Sequence, residues 1–335
     1  MGIYEYTRMP FGIKNAPAHF QRIMDTIFED QILEGWMVVY IDDIIIYSET
    51  WEDHVQYIDR VLSKCTPINL KISPKKHNFG QKELLALGHK FSGLSLAINQ
   101  KKVAAVLQNP VTKNIKEIQS FLEFASHYRN HIKCFAHIAS SLYSLCSKDV
   151  VFEITKERRD AYERIKHELT NTPVLILPDF ELPFKLYIDA ACIQGLGEAL
   201  HQRKIVDCEP REGVICYISR RLKDSKARYG ATQTECLFLV WALEKLYYYL
   251  EGVVFEVYTD CTALKSLLNM KTTNRQMLRW QIAMQKYRGN LTIIYKEGKS
   301  HNNSDGLRRW PPDNFKSNPA YDPEVPARSL SILWE

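Results

Sequence analysis

No two of the eight cysteines are spaced as CxxC. Their scatter marks neither a zinc site nor a disulfide framework, and a reducing setting fits best. No apolar run reaches the ~20 residues that a membrane-crossing helix needs. Residues 1–15 are mixed and polar, without the apolar stretch of a secretory signal. These absences predict an intracellular protein, cytoplasmic or nuclear, with no membrane partner. What is present is a globular composition: 45% hydrophobic and 25% charged over 335 residues, enough for two or three domains.

The net charge of +5 is unevenly spread. Residues 271–309 hold nine Lys/Arg against two acids, Glu297 and Asp305, a surplus of +7 in that segment alone. The basic residues interleave with Trp280 and Tyr287. Such a stripe suits a polyanion such as nucleic acid; a solvated helix face would show the same charges.

Two adjacent carboxylates interrupt the run Met37-Val38-Val39-Tyr40-Ile41-Asp42-Asp43-Ile44-Ile45-Ile46. Val, Ile and Tyr favour strands and Asp is depleted there, so the run reads as two short strands with a tight turn at 41–43. No Lys or Arg lies between Trp36 and Glu49 to neutralise the pair. The two Asp are either turn formers facing water or ligands of a hard cation, which takes oxygen donors and relieves their repulsion.

Around this hairpin the pattern predicts helices over 18–33 and 51–64, then short strands over 67–98 with turns at Ser73-Pro74 and Gly93. Residues 100–145 read as about three helices, and 155–169 as another. A proline-containing connector at 173–183 is a domain boundary. Beyond it, strands (184–188, 215–219, 255–259, 291–295) alternate with helices (232–250, 262–268, 274–287). Thr232 is the expected N-cap of the long helix, and Gly252 lies just past its end. The fold class is therefore α/β (α+β), with an irregular tail after Trp310.

Two of these strands run apolar into a terminal acid: Tyr187-Ile188-Asp189 and Tyr258-Thr259-Asp260. Strand ends are where α/β folds build sites. Glu235 falls in the expected first turn of the long helix, and Asp305 begins a short one. Each has a structural reading. Thr232-Gln233-Thr234-Glu235 fits a capping box, and acids near helix starts complement the dipole. Together the four can converge on two divalent ions. Metals about 3.5–4 Å apart clamp the attacking and leaving oxygens of phosphoryl transfer. Mg²⁺, which keeps several waters and uses few carboxylates, suits this donor set, as does Mn²⁺.

Asp189-Ala190, Tyr229-Gly230-Ala231-Thr232-Gln233-Thr234-Glu235-Cys236-Leu237, Val240-Trp241-Ala242-Leu243, Tyr248 to Gly252, Thr259 to Leu264, Arg279-Trp280 and Gly298 to Leu307 resemble, in order, the RNase H domain of gypsy-type LTR-retrotransposon Pol polyproteins. The resemblance implies catalytic acids at Asp189, Glu235, Asp260 and Asp305. Cys261 stands where the family often has His, and Arg308 where Ser is usual. The resemblance extends to the N-terminus. Tyr4 to Pro17 is similar to the family's segment lying against nucleotide and template. Tyr40-Ile41-Asp42-Asp43 is similar to its YxDD box, Leu87-Gly88-His89 to its primer-gripping hairpin, and Ile118 to Arg129 to its thumb or connection helices, with Glu123 in place of Gly.

The resemblance implies four regions: a partial reverse transcriptase palm at 1–97, thumb/connection helices at 98–180, an RNase H-like domain at 181–312 and an irregular tail at 313–335. It implies two Mg²⁺ or Mn²⁺ ions per site, held by Asp42 and Asp43 in one and by the four later acids in the other. Nucleic-acid contacts are expected from Arg8, Phe11, Gly12, Asn15, Pro17, Gln21, Gly88, His89, Arg275, Arg279 and Lys299. Expected partners are RNA–DNA hybrid and template–primer, with a full-length Pol or a second copy as protein partner. Residues 1–36 show no acid at the end of an apolar strand, so the chain is expected to begin inside the palm. The expected activity is metal-dependent cleavage of RNA in RNA–DNA hybrids, with an incomplete RNA-directed DNA polymerase. The rivals are a non-catalytic nucleic-acid-binding remnant and a polymerase active only with a longer partner chain.

Overall fold

A computed structural model describes residues 6, 9–10, 12–73, 77–93, 95–107, 114–147, 150–189, 195–206, 209–222, 229–267, 274–296 and 328–331. The chain divides into two units, Met1–Leu94 with Ser317–Glu335, and Ser95–Lys316. Among the described residues no helix is long and apolar enough to cross a membrane.

In the first unit, helix α1 (Ala16–Ile27) opens on Pro17, whose missing N–H is harmless in a first turn. Phe20 and Met24, four apart, are its buried stripe. The expected single helix over 18–33 is broken. Phe28 is fully buried and leaves helical geometry (φ −107°, ψ 18°), and α2 (Glu29–Leu33) follows. Strands β1 (Met37–Tyr40) and β2 (Asp43–Ile46) pair antiparallel, with Tyr40 opposite Asp43. Met37, Val39, Ile44 and Ile46 face inward and are buried. They meet α1 and α3 (Trp51–Cys65) in one core. Thr50 caps α3 by accepting from the Asp53 N–H. β3 (Glu83–Ala86) and β4 (His89–Ser92) form a second hairpin. Its turn carries positive φ at Leu87 (51°) and Gly88 (83°), the twist that suits a two-residue hairpin. Strand β12 (Arg328–Ser331) lies antiparallel along β2, with Ser331 opposite Asp43.

The second unit begins with β5 (Ser95–Ile98), which pairs with β6 (Leu175–Ile176). Between them lie α4 (Gln100–Leu107), α5 (Ile115–His127), a short turn of 3-10 helix (Arg129–His131), α6 (Phe135–Ile138), α7 (Ser140–Leu145) and α8 (Lys156–Thr170). Phe121, Tyr162, Ile165 and Leu142 are among the residues of their shared core. Asn114 and Thr155 supply side-chain caps to α5 and α8.

A five-stranded mixed sheet follows. It contains β7 (Phe184–Asp189), β8 (Gly195–Val206), β9 (Glu209–Arg221), β10 (Phe255–Thr259) and β11 (Leu291–Tyr295), in the order β11-β10-β7-β8-β9. β7, β10 and β11 are parallel; β8 runs antiparallel to both of its neighbours. Helices α9 (Ala231–Lys245), α10 (Tyr247–Leu250), α11 (Thr262–Leu267) and α12 (Arg275–Gln285) supply the rest of the domain, and Leu239, Leu243, Trp280 and Met284 pack on Leu186, Leu200 and Val257. The helical region is fastened to β9: Arg129 donates to the Ser219 carbonyl at 3.2 Å and the Ala136 N–H to the Ser219 hydroxyl at 2.9 Å.

Further expectations change. β8 was not foreseen and β9 exceeds the expected 215–219, because polar residues on these strands are buried against specific partners. Gln202, with no exposed surface, bonds across to Asp179 and Leu182. The long helix starts at Ala231 with Gly230 in the cap position and no side-chain cap bond, so Thr232 is not its N-cap. It also breaks at Leu246, ahead of α10 and Gly252 (φ 74°). Finally, Cys134 is disulfide-bonded, a link that spacing without pairing information does not reveal. The described Cys65, Cys146, Cys216, Cys236 and Cys261 are free.

Glu198 on β8 stands opposite Ile188 and Ile218, both core residues. Its carboxylate is buried with neither oxygen hydrogen-bonded, and burial pushes its pKa well above the usual 4.5. The folded protein keeps this proton while the unfolded chain releases it, so stability falls as pH rises above 4.5. Glu198→Met should raise the unfolding free energy by about 1–3 kcal/mol at pH 8, and by less at pH 4, when urea melts of the two proteins are compared.

Candidate active site

The register of β7 with β10 builds the main site. Tyr258 pairs with Tyr187 in parallel. Past that pair, β7 ends at Asp189 and β10 ends at Thr259, directly before Asp260. Parallel strands project their ends toward the same edge of a sheet, where α/β sites form. Asp260 is exposed and Glu235 is half-buried. Glu235 lies in the second turn of α9, not the first, and bonds to no helix cap. One of its oxygens accepts instead from the Thr259 hydroxyl, at 3.2 Å. The capping box expected from Thr232 and Glu235 is thus absent, because Glu235 is turned toward β10. The backbone of Asp189 is described but its side chain is not, and Asp305 lies outside the described residues.

Burial, and then the charge of Asp260, raise the Glu235 pKa above its usual value. The Thr259 hydroxyl and the Cys261 thiol oppose that rise by hydrogen bonding to the carboxylate. Two crowded carboxylates with hard oxygen donors are a fit for a divalent cation, which relieves the repulsion that raises this pKa. Among the described residues no three His, Cys, Asp or Glu side chains cluster as a metal site. The described part of the expected quartet is the pair Glu235 and Asp260.

The second candidate is the β1–β2 hairpin. Ile41 occupies the left-handed region, φ 51°, unusual for a β-branched residue. Such strain persists only where neighbours enforce it. Gln21 on α1 does so: its amide accepts from the Ile41 N–H at 2.6 Å and donates to the Val39 carbonyl at 3.0 Å. Asp42 is exposed at the turn, and Asp43 is half-buried at the start of β2. Gln21, one of the expected nucleic-acid contacts, has both ends of its amide engaged within the hairpin and with Asp25.

Of the other expected contacts, Gly12, Asn15 and Pro17 are exposed before and within the first turn of α1. Gly88 and His89 shape the β3–β4 turn, where His89 Nδ1 lies 3.1 Å from the Leu87 carbonyl oxygen. Arg275 and Arg279 are exposed, one turn apart on α12, and so share a face. Arg8, Phe11 and Lys299 lie outside the described residues. Thr259 was not singled out from sequence. A Thr ending a strand reads as ordinary β-former, and only the helix packed above it reveals its hydroxyl's partner.

Two family models match: reverse transcriptase (RNA-dependent DNA polymerase) over residues 1–91, and the RNase H-like domain found in reverse transcriptase over 179–287. The Pol polyprotein of Drosophila melanogaster transposon 297 is 36% identical over 92% of this chain, and that of transposon gypsy 32% identical over 99%. The chain belongs to the gypsy-type retrotransposon Pol family. It spans 28% of the transposon 297 polyprotein and 32% of the gypsy one. The Schizosaccharomyces pombe transposon Tf2-3 polyprotein is 31% identical over 92% of this Pol segment, which covers 23% of it. A structure of the foamy viral protease-reverse transcriptase in complex with RNA/DNA hybrid shares the fold, with TM-score 0.72 at 21% identity over 87% of this chain and 39% of that one.

Two results are expected for this Pol segment. Gln21→Ala removes both clamps on the strained turn, so the Ile41 amide should exchange with solvent about tenfold faster, as measured by NMR hydrogen exchange. For Glu235, the raised pKa means that its stability contribution is present below pH 4.5 and is lost as pH rises through the folded value. Glu235→Gln should therefore raise the melting temperature at pH 8 and change it little at pH 4, in scanning calorimetry.

Proposed function

We propose that this Pol segment cleaves the RNA strand of RNA–DNA hybrids in a reaction dependent on Mg²⁺ or Mn²⁺. The observation that carries this reading is the bond from Thr259, the residue before Asp260, to the Glu235 carboxylate, at the end of a strand parallel to β7. Asp189, Glu235, Asp260 and Asp305 would hold two ions. When bound, these ions activate water and stabilise the leaving oxygen. The protein's own part is to hold the carboxylates together and to orient the hybrid. Arg275 and Arg279 offer α12 as a phosphate-tracking face, and Lys299 is assigned the same role from the sequence. An A-form-like hybrid is recognised through backbone and 2′-hydroxyls, so little sequence preference is expected.

We assign the domains as palm at 1–97, thumb/connection at 98–180, RNase H-like domain at 181–312 and tail at 313–335. Asp42 and Asp43 are assigned to the nucleotidyl-transfer site, with Gly12, Asn15, Pro17, Gly88 and His89 as the template–primer surface. Arg8 and Phe11, outside the described residues, are assigned the same role from the sequence. A non-catalytic remnant is not favoured, since all four expected acids are present and Glu235 is held toward the strand end that precedes Asp260.

The test uses the purified chain, a hybrid labelled on its RNA strand and Mg²⁺. Cleavage is expected, with EDTA stopping it and added Mg²⁺ restoring it. Asp260→Asn should slow it by at least about 10²-fold. An RNA strand left intact by the parent protein under these conditions would refute the reading.

A further inference from the structure

Glu235 and Asp260 reach the same place from different elements, and they repel. Glu235 belongs to α9, while Asp260 directly follows β10. A half-buried Glu on a helix has three rotatable bonds, and turning toward water would relieve both its desolvation and the repulsion. Its observed direction therefore needs a restraint.

The restraint comes from the two residues flanking Asp260. Thr259 is buried, with no exposed surface. Its hydroxyl has one proton to give, and that proton goes to the Glu235 carboxylate at 3.2 Å. The same oxygen accepts the Cys261 N–H at 3.1 Å. The backbone donor takes a lone pair and leaves the hydroxyl proton directed at Glu235. The hydroxyl is fully buried, so the bond is worth more than an exposed one. Asp260 is thus bracketed by the hydroxyl that holds Glu235 and the backbone N–H of Cys261 that steadies that hydroxyl.

We propose that Thr259, assisted by Cys261, is the positioning residue that holds the Glu235 carboxylate beside Asp260, so that the two acids form a ready oxygen pair for a divalent cation. This rests on the reading of Glu235 and Asp260 as metal-holding acids. Neither Thr259 nor Cys261 touches substrate in this assignment; both act through Glu235. Outer groups of this kind typically govern affinity for the ion.

The decisive comparison is between Thr259→Val, which keeps the shape and removes the hydroxyl, and Thr259→Ser, which restores it. Mn²⁺ binding is titrated calorimetrically into the full chain without nucleic acid. Hybrid cleavage is followed in parallel as a function of Mg²⁺ concentration. Thr259→Val should weaken Mn²⁺ binding by about tenfold or more and raise the half-saturating Mg²⁺ concentration in step, with a smaller change in the rate at saturation. Thr259→Ser should recover most of both. Parent-like Mn²⁺ affinity in Thr259→Val overturns the proposal, and so does a serine variant as defective as the valine one. If Thr259→Val does not fold, Thr259→Ala against Thr259→Ser carries the test: weaker Mn²⁺ binding in the alanine variant alone upholds the proposal, and equal binding in the two overturns it. A parent chain that binds Mn²⁺ but leaves hybrid intact defeats the cleavage reading alone, while the binding comparison still decides this one. A parent that binds no Mn²⁺ defeats both.

Discussion

The pairing of β7 with β10 is the constraint on which the candidate site depends. Parallel strands cannot be joined by a tight turn, so the chain between them must cross over. In this chain the crossover includes β8, β9 and α9. That excursion delivers Glu235 to the strand ends, and the register fixes which residues it meets. A slip of one residue would turn Asp260 to the opposite face and put Thr259 in its place. The buried alternation of β10, with Phe255, Val257 and Thr259 inward, opposes such a slip.

Crowding of acids is tolerated at this edge because the surroundings are organised around it. Burial and mutual repulsion work against Glu235, while Thr259 and Cys261 work for it. The domain holds a second buried acid, Glu198, which has no such help. The contrast separates two uses of burial. Glu235 sits at the rim, half-buried, with donors aimed at it and an acid neighbour that a cation can satisfy. Glu198 faces the core side of the sheet between two isoleucines, and nothing in the proposed chemistry employs it.

Much of this was legible in the sequence. Apolar runs ending in acid marked β7 and β10, and the Asp pair within β-branched residues marked the β1–β2 hairpin. Family motifs placed both in order along the chain. What escaped notice were interactions between distant segments. Gln202 and His201 made β8 look unlike a strand, because polar residues buried against particular partners leave no alternation to read. Thr232 and Glu235 matched a capping box, but local pattern cannot weigh a helix cap against a hydroxyl on a strand 24 residues away. Gln21, expected to contact nucleic acid, also ties to Ile41 across 20 residues, a link that local pattern does not show.

That last tie has a mechanical meaning. Asn15 and Pro17, at the exposed start of α1, share a rigid rod with Gln21, and Gln21 grips the amide of the one strained residue in the Asp-bearing turn. Gln21 therefore joins the helix that starts beside Asn15 to the turn that presents the two carboxylates of the hairpin.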